Sequence, residues 1–301
     1  MILFYKMVWI PYQRSTREFV EIKHFKGIPR KIGMAASKKT SESKGHVSST
    51  INFDALQATL ENAVKKNTPN KEKFGIAFSG GLDSGTIAFL AGKISKNAVL
   101  LCVGFPGSSD LKRVRPLAKK MKMKLVVHEL NEKEMIENYA HAKKILKTDD
   151  KLQCTLGAVN LTIAKLAHDE KLTHVFVGSG ADELFCGYGA FDKCRGDSDA
   201  CEKLRTEKMT NVHEHDVKRE IRCANEYEIT LHAPYLDETF AALALKVPAL
   251  ENLQGKYGHV RKNTLRVLAE KMGVLKEIVH ATKKAMQYGS GTQKAIKRSI
   301  R

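Results

Sequence analysis

Apolar positions along this chain follow two periods, and the switches between them lay out an architecture. Phe53, Leu56, Leu60 and Val64 recur at spacings of three and four, which predicts a helix from about Ile51. Residues 74–78 are short and apolar, the pattern of a buried strand. A helix over residues 84–94 follows, then a strand over 98–104 (AVLLCVG), a helix over 110–121, a strand over 125–128 and a helix over 132–145. Residues 159–168 form an amphipathic pattern that leads into a strand at 174–177. The Val, Ile and Leu runs do not alternate with polar residues, so these strands are expected to be covered on both faces. The repeated strand–helix order implies an α/β fold with a doubly wound parallel sheet. Beyond Gly189 the pattern turns helical, with helices expected over 200–209, 215–228, 238–246, 262–272 and 276–284. Ligands of such sheets bind at the carboxyl ends of the strands. Two glycine-rich breaks, 79–85 and 178–189, fall there.

The first 50 residues differ from the rest. They open on the apolar MILFYKMVWIPYQR, too short and too interrupted by Lys6 to be a signal or a membrane span. They end on the polar ASKKTSESKGHVSST, which reads as a disordered extension. The expected division is therefore a basic extension, 1–50, and a domain, 51–301, in the cytoplasm. The chain carries a formal net charge of +18. Residues 1–50 hold ten Lys or Arg against three Glu, and residues 283–301 hold six against none, so much of the excess sits at the ends. The charge suits anionic partners, from nucleotides to nucleic acid, but the middle of the chain is nearer balance. The six cysteines include no Cys-x-x-Cys pair and are expected to be free thiols.

The stretch Phe78-Ser79-Gly80-Gly81-Leu82-Asp83-Ser84-Gly85 joins the first strand to its helix. The first-turn N–H groups of such a helix are unpaired and carry partial positive charge. Gly80 and Gly81 let the backbone approach an oxyanion, and Ser79 and Ser84 add hydroxyl donors. Asp83 would repel a phosphate unless a divalent cation lay between them, and Mg2+ is bound in that way, by one or two carboxylates plus phosphate oxygens. The loop lacks the Gly-Lys-Ser/Thr of a Walker A motif and is no dinucleotide Gly-x-Gly-x-x-Gly. It resembles the pyrophosphate (PP) loop of the ATP pyrophosphatases, which implies an adenine nucleotide alpha hydrolase-like fold.

A second motif narrows the resemblance. Gly178-Ser179-Gly180-Ala181-Asp182-Glu183-Leu184-Phe185-Cys186-Gly187-Tyr188 resembles the Gly-Glu-Gly-Ser/Ala-Asp-Glu-Leu-Phe-Gly-Gly-Tyr signature of asparagine synthetases. Gly107-Ser108-Ser109-Asp110-Leu111, Ala233-Pro234-Tyr235-Leu236-Asp237 and the segment Lys283–Gly291 match further family motifs in order. The resemblance covers about residues 51–301. It implies an AMP-forming ligase of asparagine biosynthesis, in which ATP activates a carboxylate, aspartate or another, as an acyl-adenylate and ammonia or another amine displaces AMP. It carries the Mg2+ ligands over to Asp83 and Asp182. It carries the nucleotide contacts over to Phe78, Ser79, Gly80, Gly81, Asp83, Ser84, Val103, Gly178 and Ser179. Lys283 matches the family's catalytic lysine, Lys284 is the neighbour that could replace it, and Glu183 completes the catalytic candidates.

Three departures qualify the resemblance. The family's glutaminase half begins with a cysteine directly after the initiator Met, whereas Ile2 follows Met1 here. The expected nitrogen source is thus free ammonia, another amine or a separate amidotransferase. The family's Gly-Glu-Gly is Gly178-Ser179-Gly180, and a serine cannot replace a carboxylate base. The Glu-Ala-Arg before the Pro-Phe-Leu-Asp motif is Thr230-Leu231-His232, with Glu228 upstream as the candidate replacement. Two other readings remain open: a tRNA-modifying PP-loop pyrophosphatase whose basic tails hold RNA, and a non-catalytic nucleotide-binding protein.

Overall fold

The computed structural model of the chain describes residues 51–258, 260–282 and 284–299. The extension 1–50 and Lys283 lie outside the described residues. Five parallel strands, β1 (Phe74–Ala77), β2 (Ala98–Gly104), β3 (Lys124–Glu129), β4 (His174–Phe176) and β5 (Thr230–His232), form one sheet in the order β3-β2-β1-β4-β5. This is the doubly wound parallel sheet that the alternation predicts. Parallel neighbours need crossovers, and after α1 (Phe53–Asn67), which precedes β1, the helices α2 (Leu82–Ile94), α3 (Ser109–Met121), α4 (Glu132–Leu146) and α5 (Lys151–Asp169) supply them between β1 and β4. β2 is buried at every position, which explains its unbroken apolar run. Gly75 lets β1 lie between its neighbours, because a Cβ there would come within 2.6 Å of Leu101 and 3.0 Å of Val175.

The chain leaves β1 toward β2 and β3, then returns to the far side of β1 for β4 and β5. The order reverses between β1 and β4, and their carboxyl ends open the crevice where ligands bind in such sheets. The C-terminal part is helical as expected: α6 (Ala181–Leu184), α7 (Ser198–Val212), α8 (Lys218–Asn225), α9 (Glu238–Ala244), α10 (Asn263–Met272), α11 (Lys276–Val279), α12 (Met286–Gly289) and α13 (Thr292–Ser299). Among the described residues no helix is long and apolar enough to cross a membrane.

Several boundaries differ from the sequence expectation. α5 starts at Lys151 rather than 159, because Asp150 caps it by accepting a bond from the Gln153 amide at 2.8 Å. α11 stops at Val279, and Arg266 ties the carbonyls of Val279 and Ala281 to α10 instead. The expected helix at 215–228 is a π-turn, His213–Val217, followed by α8, and the chain then forms β5, a strand that periodicity does not reveal. Cys194 and Cys201 are joined in a disulfide, against the expectation of free thiols. The short 3-10 helix Gly189–Cys194 and the start of α7 fold back and bring their Cα atoms to 5.3 Å. The other four cysteines are free and buried.

Candidate active site

The loop after β1 folds around two hydroxyls. Ser84 Oγ accepts from the Ser79 amide at 3.2 Å and lies 3.2 Å from Ser79 Oγ, which accepts from the Gly81 amide at 3.3 Å. Gly80 takes a left-handed φ of +72° and runs under the side chain of Arg113, too close for a Cβ. Gly81 stands at the N-cap of α2 with no side chain to cap the helix. The amino end of a thirteen-residue helix thus faces the crevice with glycines at its mouth.

Asp83, in the first turn of α2, and Asp182, in α6, converge on one cation. Lys262 Nζ lies 2.6 and 2.7 Å from the two carboxylate oxygens of Asp83 and 2.7 Å from Oδ1 of Asp182. The Lys262 side chain is 3% exposed and the two aspartates are 18% exposed. Lys262 holds a left-handed backbone (φ +64°) at the N-cap of α10. That costs a non-glycine residue about 1 kcal/mol. Gly187 makes room for the arrangement, since a Cβ there would lie 2.0 Å from Asp182 Oδ1 and 2.2 Å from Lys262 Cε. Sequence reasoning missed Lys262. Its signal was a lysine at the amino end of a predicted helix, where the dipole disfavours positive charge.

The other motifs brace this centre. Tyr235 is fully buried among Phe185 and Phe240 and donates its hydroxyl to the carbonyl of Asp83 at 3.1 Å. Leu236 packs over Gly180, whose φ is +94°. Asp237 caps α9 through the amides of Thr239 and Phe240 and pairs with Lys66. Gly178 lies against Asp83, with room for a Cβ only 3.1 Å from the Asp83 Cβ. At the carboxyl end of β2, beside Val103, the Phe105 amide donates to the Ser290 carbonyl at 2.8 Å, and Gly289 sits on the buried Asp110 carboxylate. The segment that carries Lys284, which is exposed, is therefore anchored next to Val103.

Glu183 is 4% exposed, and burial pushes its carboxyl up to about 7 although the Tyr188 hydroxyl donates to it. Beside this pair opens a cavity of about 510 Å³, bordered also by Lys208, His215 and Asp216. Ser179 donates its hydroxyl to both oxygens of Glu220, at 2.8 and 2.7 Å. Glu228 does not compensate for the altered Glu-Ala-Arg. It is exposed and precedes β5, at the amino end of that strand, opposite the carboxyl edge from which the two glycine-rich loops leave.

The asparagine synthase family profile matches residues 55–207 and 195–301. The Methanocaldococcus jannaschii protein named "Putative asparagine synthetase (glutamine-hydrolyzing) 1" is 29% identical over 80% of this chain and 50% of its own. Asparagine synthetase B (glutamine-hydrolyzing) of Escherichia coli is 24% identical over 70% of this chain and 40% of its own. The chain thus spans half or less of the length of these curated relatives. Among solved structures, the U34-tRNA thiolase NcsA from Methanococcus maripaludis, with its 4Fe-4S cluster, aligns at a TM-score of 0.41 and 14% identity, over 82% of this chain and 75% of that one.

Proposed function

The chain belongs to the asparagine synthase family, and from that premise we propose that it is an ATP-dependent, AMP-forming ligase that adenylates aspartate and converts it to asparagine. The observation that carries the reading is the convergence of Asp83, Asp182 and Lys262 at the mouth of the Ser79–Ser84 loop. Two carboxylates already aim at one cationic point, and such a donor set fits Mg2+ completed by phosphate oxygens. Bound there, Mg2+ would neutralise charge on the leaving pyrophosphate. The loop amides and the Ser79 and Ser84 hydroxyls hold that pyrophosphate against the amino end of α2. Val103 and Gly178 present backbone to the adenosine. Lys283 and Lys284 stabilise the adenylate as cations. The cavity beside Glu183, bordered by Lys208 and Asp216, offers both signs of charge that an amino acid requires.

The test is product analysis. The purified chain is incubated with ATP, Mg2+, aspartate and ammonium, with glutamine as a second nitrogen source, beside an Asp83→Ala control. The reading predicts AMP, pyrophosphate and asparagine in equal amounts, all lost in the control. ADP in place of AMP, or no aspartate-dependent turnover, would contradict it.

A further inference from the structure

Glu220 is a buried carboxylate that the pyrophosphate and metal groups do not explain. It lies on α8 and is 7% exposed. The nearby cation, Arg219, is otherwise engaged. Its guanidinium meets Asp216 at 2.7 Å, Gln153 at 2.8 Å and Asn160 at 3.1 Å, and reaches Glu220 only at 3.8 Å. Among the described residues, the donor that hydrogen-bonds the Glu220 carboxylate is the Ser179 hydroxyl. One hydroxyl leaves most of the accepting capacity of a carboxylate unused, and a buried, under-satisfied carboxylate is expensive to maintain.

The position of the pair gives it a use. Ser179 follows β4 at the carboxyl edge of the sheet, between two glycines. Gly178 packs on Asp83 and Gly180 packs on Leu236. The serine backbone is thereby pinned beside the centre where the acyl-adenylate would form, and its hydroxyl bridges from that edge to α8. It is also the position at which this chain departs from the related signature by replacing a carboxylate. Glu220 brings a carboxylate back to the same place from a different element.

We propose that Ser179 and Glu220 form a proton relay for the amine step, in which Ser179 meets the amine and Glu220 positions its hydroxyl and receives the proton. The inference rests on the ligase reading above. The nitrogen lone pair forms the new C–N bond to the acyl carbon. The bond from that carbon to the adenylate oxygen breaks, and its electron pair leaves with AMP. One N–H proton passes to Ser179 Oγ as the Ser179 proton passes to a Glu220 oxygen. Nothing is oxidised or reduced. Burial raises the Glu220 carboxyl above the usual range, opposed by Arg219 and assisted by Asp216, which makes it a better base once ionised.

The test separates the two half-reactions in the full chain. Adenylation is read as aspartate-dependent ATP–pyrophosphate exchange, and the amine step as asparagine formation from ammonium chloride. Glu220→Gln should keep exchange within about twofold and lower kcat for asparagine about 100-fold, the range of a lost general base. Ser179→Ala should lower kcat for asparagine to a similar degree. The double variant Ser179→Glu with Glu220→Ala moves the carboxylate to the serine position and should recover most of the activity. Equal losses of exchange and asparagine in Glu220→Gln, with no recovery in the double variant, would show a structural role and overturn the relay. Undiminished asparagine formation in Glu220→Gln would do the same. Absence of exchange in the unmodified chain would instead defeat the ligase reading, and the relay with it.

Discussion

At the residue scale the account turns on Lys262. A side chain 3% exposed between two carboxylates is held in place by charge, and removing one partner of such a cluster is costly. Lys262→Met should destabilise the chain by about 3 kcal/mol when measured by urea unfolding without Mg2+, and added Mg2+ should recover part of the loss. A loss that Mg2+ leaves untouched would place the role of Lys262 elsewhere. The residue shows where reading a sequence stops. Asp83 and Asp182 were legible because glycines and serines of recognisable spacing surround them. Lys262 sits in Arg261-Lys262-Asn263, where its one local mark is a positive charge at the amino end of a helix, and its role exists only after the fold brings it to Asp83 and Gly187 clears its path. Glu220 was hidden in the same way, because its partner lies 41 positions away.

At the element scale the strands and long helices were legible because each spans enough residues to show its period. β2 is buried on both faces and matches its apolar run from end to end. β5 has three residues, too few to display a period, and its register is set by pairing with β4. The disulfide was illegible for a related reason, since a spacing of seven says nothing until the 3-10 helix and α7 turn the two cysteines together. A thiol titration of the unreduced, denatured chain should therefore find four reactive cysteines, and six after reduction. Six without reductant would contradict the pairing.

α8 carries a pH prediction. Burial raises the Glu220 carboxyl in the folded chain above its unfolded value. The fold thus resists ionisation, and stability is lost as pH climbs from the unfolded value through the folded one. The charged groups facing it are Arg219 on α8, which opposes the rise, and Asp216 in the preceding turn, which adds to it. Glu220→Gln does not ionise. Its Tm should gain on that of the unmodified chain as pH rises above about 4, because a model Glu titrates near that value. A constant difference across that range would mean that Glu220 ionises as readily in the folded chain as in the unfolded one.

At the scale of the whole molecule, the sheet order and the positions of the motifs agree. β1 and β4 flank the point where the strand order reverses, and the two glycine-rich motifs leave from their carboxyl ends. The other family motifs, after β2 and after β5, converge on the same edge, through Ser290 on Phe105 and Tyr235 on Asp83. The fold was legible as a whole because each strand–helix unit declares itself locally. The site was half legible, because motif residues name themselves while the groups that support them come from distant helices. The large positive charge of the chain is concentrated toward its ends and requires no nucleic-acid partner at this crevice.

The central claim is that the carboxylate of an acid is adenylated here, and isotope transfer tests it most directly. Aspartate labelled with heavy oxygen in its side-chain carboxylate is turned over with ATP, Mg2+ and ammonium, and the AMP is analysed by mass spectrometry. An acyl-adenylate passes one carboxylate oxygen to the phosphate, so the account predicts AMP carrying one heavy oxygen for each asparagine formed. Unlabelled AMP would mean that water cleaves ATP without activating the acid, and would contradict it.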